Sequence, residues 1–249
     1  MTETPMPVPP PRIEVHEDAA DLATAVAGEL IVRIEDAQAR GEEPQIGLTG
    51  GSIADAVHRE LGRMGPASEV DWQRVVVWWG DERFVAPDSP DRNVEQARAA
   101  GLDLLDLDPS KVHAVPSTAD AGSVDEAATS YAAAIREHGT GHFEVLMLGV
   151  GPDGHVASLF PGSPQLDVDA AVAVGVTDSP KPPPERVSLT FGALNHSRSV
   201  WFLVSGEEKA DAVAGALAAG TDVHDIPAAG VKGELETIWF LDRPAASRI

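Results

Sequence analysis

Short apolar runs recur along this chain, each closing on glycines or charged residues before the next element begins. They span Gln45 to Thr49, Val75 to Trp79, Val145 to Leu148, Ser199 to Val204 and Ile238 to Leu241. Runs of this length without polar alternation are the pattern of strands buried on both faces. Between them the period changes. Ala19, Leu22, Ala23, Val26, Ala27, Leu30, Ile31 and Ile34 recur at three- and four-residue steps after Asp18, and Pro44 blocks continuation beyond Gly41. A helix is expected from Ser52 to about Leu61, another from Ser123 to His138, and a partly helical stretch from Asn93 to Leu105 broken by Gly101. Further short strands are expected at Val112 to Val115, Ala171 to Val176 and Val187 to Phe191. Strands alternating with helices predict an α/β fold, a mostly parallel Rossmann-like sheet with helices on both faces. Residues 1–12 read as a proline-rich tail and 13–249 as a single domain.

The run Val145 to Leu148 leads into Gly149, Gly151, Pro152, Gly154 and His155, with Ser158 and Pro161-Gly162 beyond. Ligands of open α/β sheets bind at the carboxyl ends of the strands. A histidine on a glycine loop there suits acid–base chemistry near neutral pH, or else caps its own loop. The strand ending at Thr49 opens into Gly50, Gly51 and Ser52. Glycine amides at a helix start favour an anion, and Ser52 is placed to cap that helix. The arrangement is neither a P-loop nor a GxGxxG fingerprint, and read alone it also describes a plain turn. Asp81, Glu82 and Arg83 close the run ending at Trp79, while Arg92 and Arg98 read as surface residues. In SPKPPPER, three consecutive prolines hold Lys181 and Arg186 on an extended backbone. Ser205 to Glu208 has a capping-box pattern, which puts Lys209 in the first turn of a helix running to about Ala219. A cation there opposes the helix dipole and so points to a nearby anion.

Charge narrows the partners. With 18 Lys and Arg against 40 Asp and Glu, the net charge of -22 argues against nucleic acid or an anionic membrane surface. Cations gathered near glycine loops therefore carry weight. The absence of cysteine removes disulfides and thiolate chemistry and fits a reducing cytoplasm. No apolar run approaches the ~20 residues of a membrane span, and no metal-ligand spacing such as HExxH occurs. A small phosphorylated metabolite, acid–base chemistry and no cofactor are expected.

Six ordered blocks carry a more specific signal: LTGGS (Leu48 to Ser52), WWGDERFV (Trp78 to Val85), LGVGPDGHVASLFPG (Leu148 to Gly162), PPERVSLT (Pro183 to Thr190), FLVSGEEKA (Phe202 to Ala210) and WFLD (Trp239 to Asp242). Together they resemble the 6-phosphogluconolactonase family. The resemblance implies hydrolysis of 6-phospho-D-glucono-1,5-lactone in the oxidative pentose phosphate pathway, on a fold shared with glucosamine-6-phosphate deaminase and ribose-5-phosphate isomerase. Carried onto this chain, it makes His155 the general base and puts Arg83 in the active site, with Asp81 or Glu82 orienting one of them. Gly50, Gly51, Ser52, Gly154, Arg186 and Lys209 become substrate- or phosphate-binding candidates, with no metal. Arg92-Asn93 stands where the family often has Ser-Asn, and Thr49 where it often has Ser. A glucosamine-6-phosphate-type isomerase or deaminase is disfavoured, because its loop runs towards Asn-Glu-Pro where this chain has Ser158-Leu159-Phe160-Pro161. A non-catalytic sugar-phosphate sensor would have no need of His155. A monomer or weak homodimer is expected.

Overall fold

The computed structural model describes residues 9–249. Its main sheet takes β1 (Arg12–His16), β2 (Gln45–Leu48), β3 (Val76–Trp79), β5 (Phe143–Gly149), β8 (Ser197–Val204) and β9 (Glu236–Asp242) in the order β1-β9-β8-β5-β2-β3. Every pairing in it is parallel. All residues of β2 and β3 are buried, so both faces of the sheet are covered, as the unalternating apolar runs require. The proline-rich segment ends one residue sooner than expected, because Arg12 already pairs with Ile238; residues 1–8 lie outside the described residues.

Helix α1 (Ala19–Ala39) buries the predicted stripe from Leu22 to Ile34, with Ala19 half-buried, and Asp18 caps it by accepting from the amides of Ala20 and Asp21. It is followed by α2 (Ser52–Met64), α3 (Asn93–Ala100), α4 (Val124–His138), α5 (Phe191–Asn195) and α6 (Ala210–Leu217). Val112 to Val115 makes one isolated bridge to Val77 and no strand.

The sequence pattern did not foretell a second sheet. β4 (Asp81–Arg83), β7 (Arg186–Leu189) and β6 (Ala173–Val176) form a three-stranded antiparallel sheet in that order. Phe191, expected to end a strand, starts α5 under a Thr190 cap. Gly80 is the crossover point: its amide donates to the Leu48 carbonyl of the main sheet, and its carbonyl accepts from Leu189 of the small one. The buried Tyr131 hydroxyl fixes the approach by bonding both the amide and the carbonyl of Trp79, at 2.8 and 2.9 Å.

His58 lies fully buried in α2 with no hydrogen-bond partner for Nδ1 among the described residues. Burial, helped by the charge of Arg59, pushes it down to about 4. As pH falls from about 6.5, the unfolded chain binds a proton that the folded one refuses until about 4. Stability is therefore lost across that window, by roughly 3 kcal/mol in full. Urea unfolding between about pH 7.5 and 5 should show a shallower decline for His58→Leu than for wild type; equal declines would remove His58 from the account.

Candidate active site

The strand order reverses between β2 and β5: β3 lies on one side of β2, while β5, β8, β9 and β1 lie on the other. The carboxyl ends at such a point splay apart and leave a crevice. Here the crevice is a cleft of about 350 Å³, floored by Gly50, Gly51 and Ser52 after β2 and by Gly149 to Gly151 after β5. The small sheet walls it, bringing Asp81, Arg83 and Arg186, and the turn before α6 adds Glu208 and Lys209. A second, apolar hollow of about 220 Å³ lies near the amino ends of β2 and β5, beside Trp78, Ile135 and Phe143. None of the predicted site residues reaches it.

Of the predicted residues, all but Gly154 line the cleft. Gly154 is corrected to a turn residue: its φ is +83°, an added Cβ would stand 2.8 Å from Ile226, and its carbonyl accepts from Ala228. Ser52 is not the cap of α2 either. Gly51 takes the N-cap position at φ +103°, and Ser52 is the first helical residue. The amides of this first turn have no partner within the helix and face the cleft's floor, which suits an anion. The capping box at Ser205 also fails, since the Ser205 hydroxyl donates to Asp242 at 2.5 Å and Gly206 becomes the cap of a short 3-10 turn.

His155 is gripped from one side. Its Nδ1 lies 2.5 Å from Asp153 Oδ1, and its ring leans on Phe160 at 4.7 Å between centroids. Gly151 leaves the room, since a Cβ there would fall 1.9 Å from Nδ1. Burial disfavours the Asp153 carboxylate, but the His155 hydrogen bond and the charges of His155 and Lys181 outweigh it and hold the group well below the carboxylate range. With Nδ1–H donated to a carboxylate, the imidazole keeps its Nε2 lone pair for a substrate.

Neither Asp81 nor Glu82 makes a hydrogen bond to His155. Asp81 accepts from the Ser158 hydroxyl at 2.7 Å, tying the small sheet to the histidine loop. Glu82 is buried and accepts from the amides of Arg83, Asn93 and Val94, so it holds the start of α3. Arg92 is corrected from surface to core: it is 3% exposed, donates to the Val115 carbonyl and stands 3.7 Å from Glu82. Arg98 does sit at the surface, paired with Glu95.

Asn93 orients Arg83. Its Oδ1 accepts from Arg83 Nη1, its Nδ2 donates to the Asp81 carbonyl at 2.8 Å, and the Asp91 carbonyl also receives Nη1 at 3.0 Å. Arg83 Nε is buried without a partner among the described residues, a donor still open. Gly50 has to be glycine because a Cβ would stand 1.9 Å from Asn93 Oδ1. Gly50→Ala should push Asn93 off Arg83 and lower kcat/KM by about 100-fold while α2 still forms. Steady-state kinetics beside circular dichroism would check this, and unchanged kinetics would contradict it.

Arg83 and Arg186 stand directly opposite in the β4–β7 register. Side chains so placed share a face with Cβ atoms ~5 Å apart, and like charges there repel. Burial lowers the Arg186 pKa, and repulsion from Arg83 adds to this against the pull of Asp81. Arg186 is held by the carbonyls of Lys181, Pro182 and Pro183 and lies over the Phe160 ring. Lys209 is likewise lowered, by burial first and then by Lys181. Cations crowded together against their own repulsion, in a chain this acidic, mark an anion site.

Asn93 and Lys181 line the cleft and Asp153 backs His155, and all three are missing from the residues predicted to form the site. The signal for Asp153 was an acid two positions before a histidine on a glycine turn. Lys181 was marked by the prolines that hold it, and Asn93 had no comparable signal.

Comparison with known proteins agrees with this architecture. Residues 17–239 match the family described as Glucosamine-6-phosphate isomerases/6-phosphogluconolactonase. The chain is 44% identical to the 6-phosphogluconolactonase of Streptomyces coelicolor, over 96% of this chain and 95% of that one. It is 41% identical to that of Mycobacterium tuberculosis, over 95% and 98%. The crystal structure of 6-phosphogluconolactonase from Thermotoga maritima superposes with a TM-score of 0.81 at 27% identity, covering 93% of this chain and 99% of that one. The chain thus belongs to the glucosamine-6-phosphate isomerase/6-phosphogluconolactonase family.

Proposed function

We propose that this protein hydrolyses 6-phospho-D-glucono-1,5-lactone to 6-phosphogluconate, the second step of the oxidative pentose phosphate pathway. The observation that carries the reading is the Asp153–His155 pair facing a cation-lined cleft at the strand-order reversal. The phosphate sits on the first-turn amides of α2, with Arg186 and Lys209 supplying charge. His155 Nε2 takes a proton from water as the water oxygen bonds to the lactone carbonyl carbon. The carbonyl π electrons move to oxygen, and Arg83 or a loop amide stabilises that oxyanion. Collapse breaks the bond from C1 to the ring oxygen, which receives the proton from His155. Asp153 keeps the imidazole in the working tautomer and offsets its transient charge.

Isomerisation or deamination needs a base for a carbon-bound proton. Here Asp81 is engaged by Ser158 and Asp153 by His155, and the 41–44% identical relatives cited above are named as lactonases. The cytoplasm is the proposed location: among the described residues no helix is long and apolar enough to cross a membrane, and the chain has no cysteine. We take the working unit to be a monomer or weak homodimer, since one chain supplies every group used above. Freshly generated lactone and glucosamine 6-phosphate, offered in parallel, test the reading. Proton release from the first and no ammonia from the second is expected; the reverse would favour the deaminase.

A further inference from the structure

Lys181 is the cleft cation that stands against the Asp153–His155 pair. Its Nζ lies 3.4 Å from His155 Nδ1 and 3.8 Å from Asp153 Oδ1, and no carboxylate among the described residues stands within hydrogen-bond distance of it. Its backbone, by contrast, is fixed: the amide bonds Ser179 Oγ, the carbonyl accepts from Arg186, and three prolines follow. Freedom is confined to the long side chain, which is 43% exposed to the cleft.

One carboxylate therefore faces two cationic groups. Asp153 accepts the ring N–H of His155 and stands 3.8 Å from the ammonium, and that ammonium disfavours positive charge on the imidazole. His155 must carry such a charge for part of each turnover. Lys181 also stands close enough to Lys209 to depress it, so an anion bound at Lys209 would draw Lys181 away from the dyad.

We propose that Lys181 is a positioning residue that couples phosphate binding to the base: it rests against Asp153 and His155 in the empty cleft and moves to the substrate's phosphate, leaving Asp153 to back His155 alone. The proposal rests on the lactonase reading. Binding energy of a group remote from the reacting bond is thereby used at the reacting centre.

The test splits the substrate in two. Unphosphorylated D-glucono-1,5-lactone is hydrolysed with and without phosphite dianion by wild type, Lys181→Met and Lys181→Arg. Phosphite should accelerate wild type by about three- to tenfold. Lys181→Met should already run at the accelerated rate and ignore phosphite. Lys181→Arg should regain the response. No phosphite effect in wild type, or the same effect in Lys181→Met, overturns the proposal. Failure of wild type on the phosphorylated lactone would instead remove the lactonase reading itself.

Discussion

His155→Ala lowers kcat/KM on the phosphorylated lactone by about 100- to 10,000-fold, the usual contribution of a positioned general base. The fold should survive, because the imidazole stands on a loop and packs chiefly against Phe160 and Asp153. The proposed phosphate anchors on α2, Arg186 and Lys209 are untouched, so calorimetry should find the affinity for 6-phosphogluconate within a few-fold of wild type. A parallel collapse of affinity and turnover would mean that the loop, rather than the base, had been lost.

Asp153→Asn is expected to be nearly as damaging, at about 100- to 1,000-fold in kcat with little change in KM. The substitution keeps the shape but removes the charge that offsets an imidazolium. It also lets the side chain donate to Nδ1, which turns the other tautomer outward and takes the lone pair from Nε2. Since Asp153 is ionised far below neutrality, wild-type activity should show no limb from this group between about pH 5 and 8. Kinetics across that range would check both statements, and a mutant with raised KM and normal kcat would contradict the assignment.

Much of the architecture is legible in the sequence because burial on both faces leaves a direct trace. Val145 to Leu148 and Ser199 to Val204 have nothing polar to hide, so the central strands read plainly. The small sheet is different. Its strands are short, and what joins β4 to β7 is a register between distant segments, which no local period encodes. The facing of Arg83 and Arg186 was therefore invisible, although both residues were named. Arg92 misled for a related reason: a charged residue beside turn residues looks solvated until Glu82 is found buried beneath it. Asp153, between Pro152 and Gly154, has the composition of an ordinary turn, and its chemistry appears only when the loop folds it back to Nδ1. Serine and two glutamates after a strand read as a capping box, but Asp242 at the end of β9 claims the serine.

The most direct test follows loss of freshly generated 6-phosphogluconolactone, above its spontaneous hydrolysis, with wild type and His155→Ala side by side. Fast loss with wild type and a rate near background with a folded mutant is the predicted result. Equal rates for the two proteins would contradict the account by taking the chemistry away from His155.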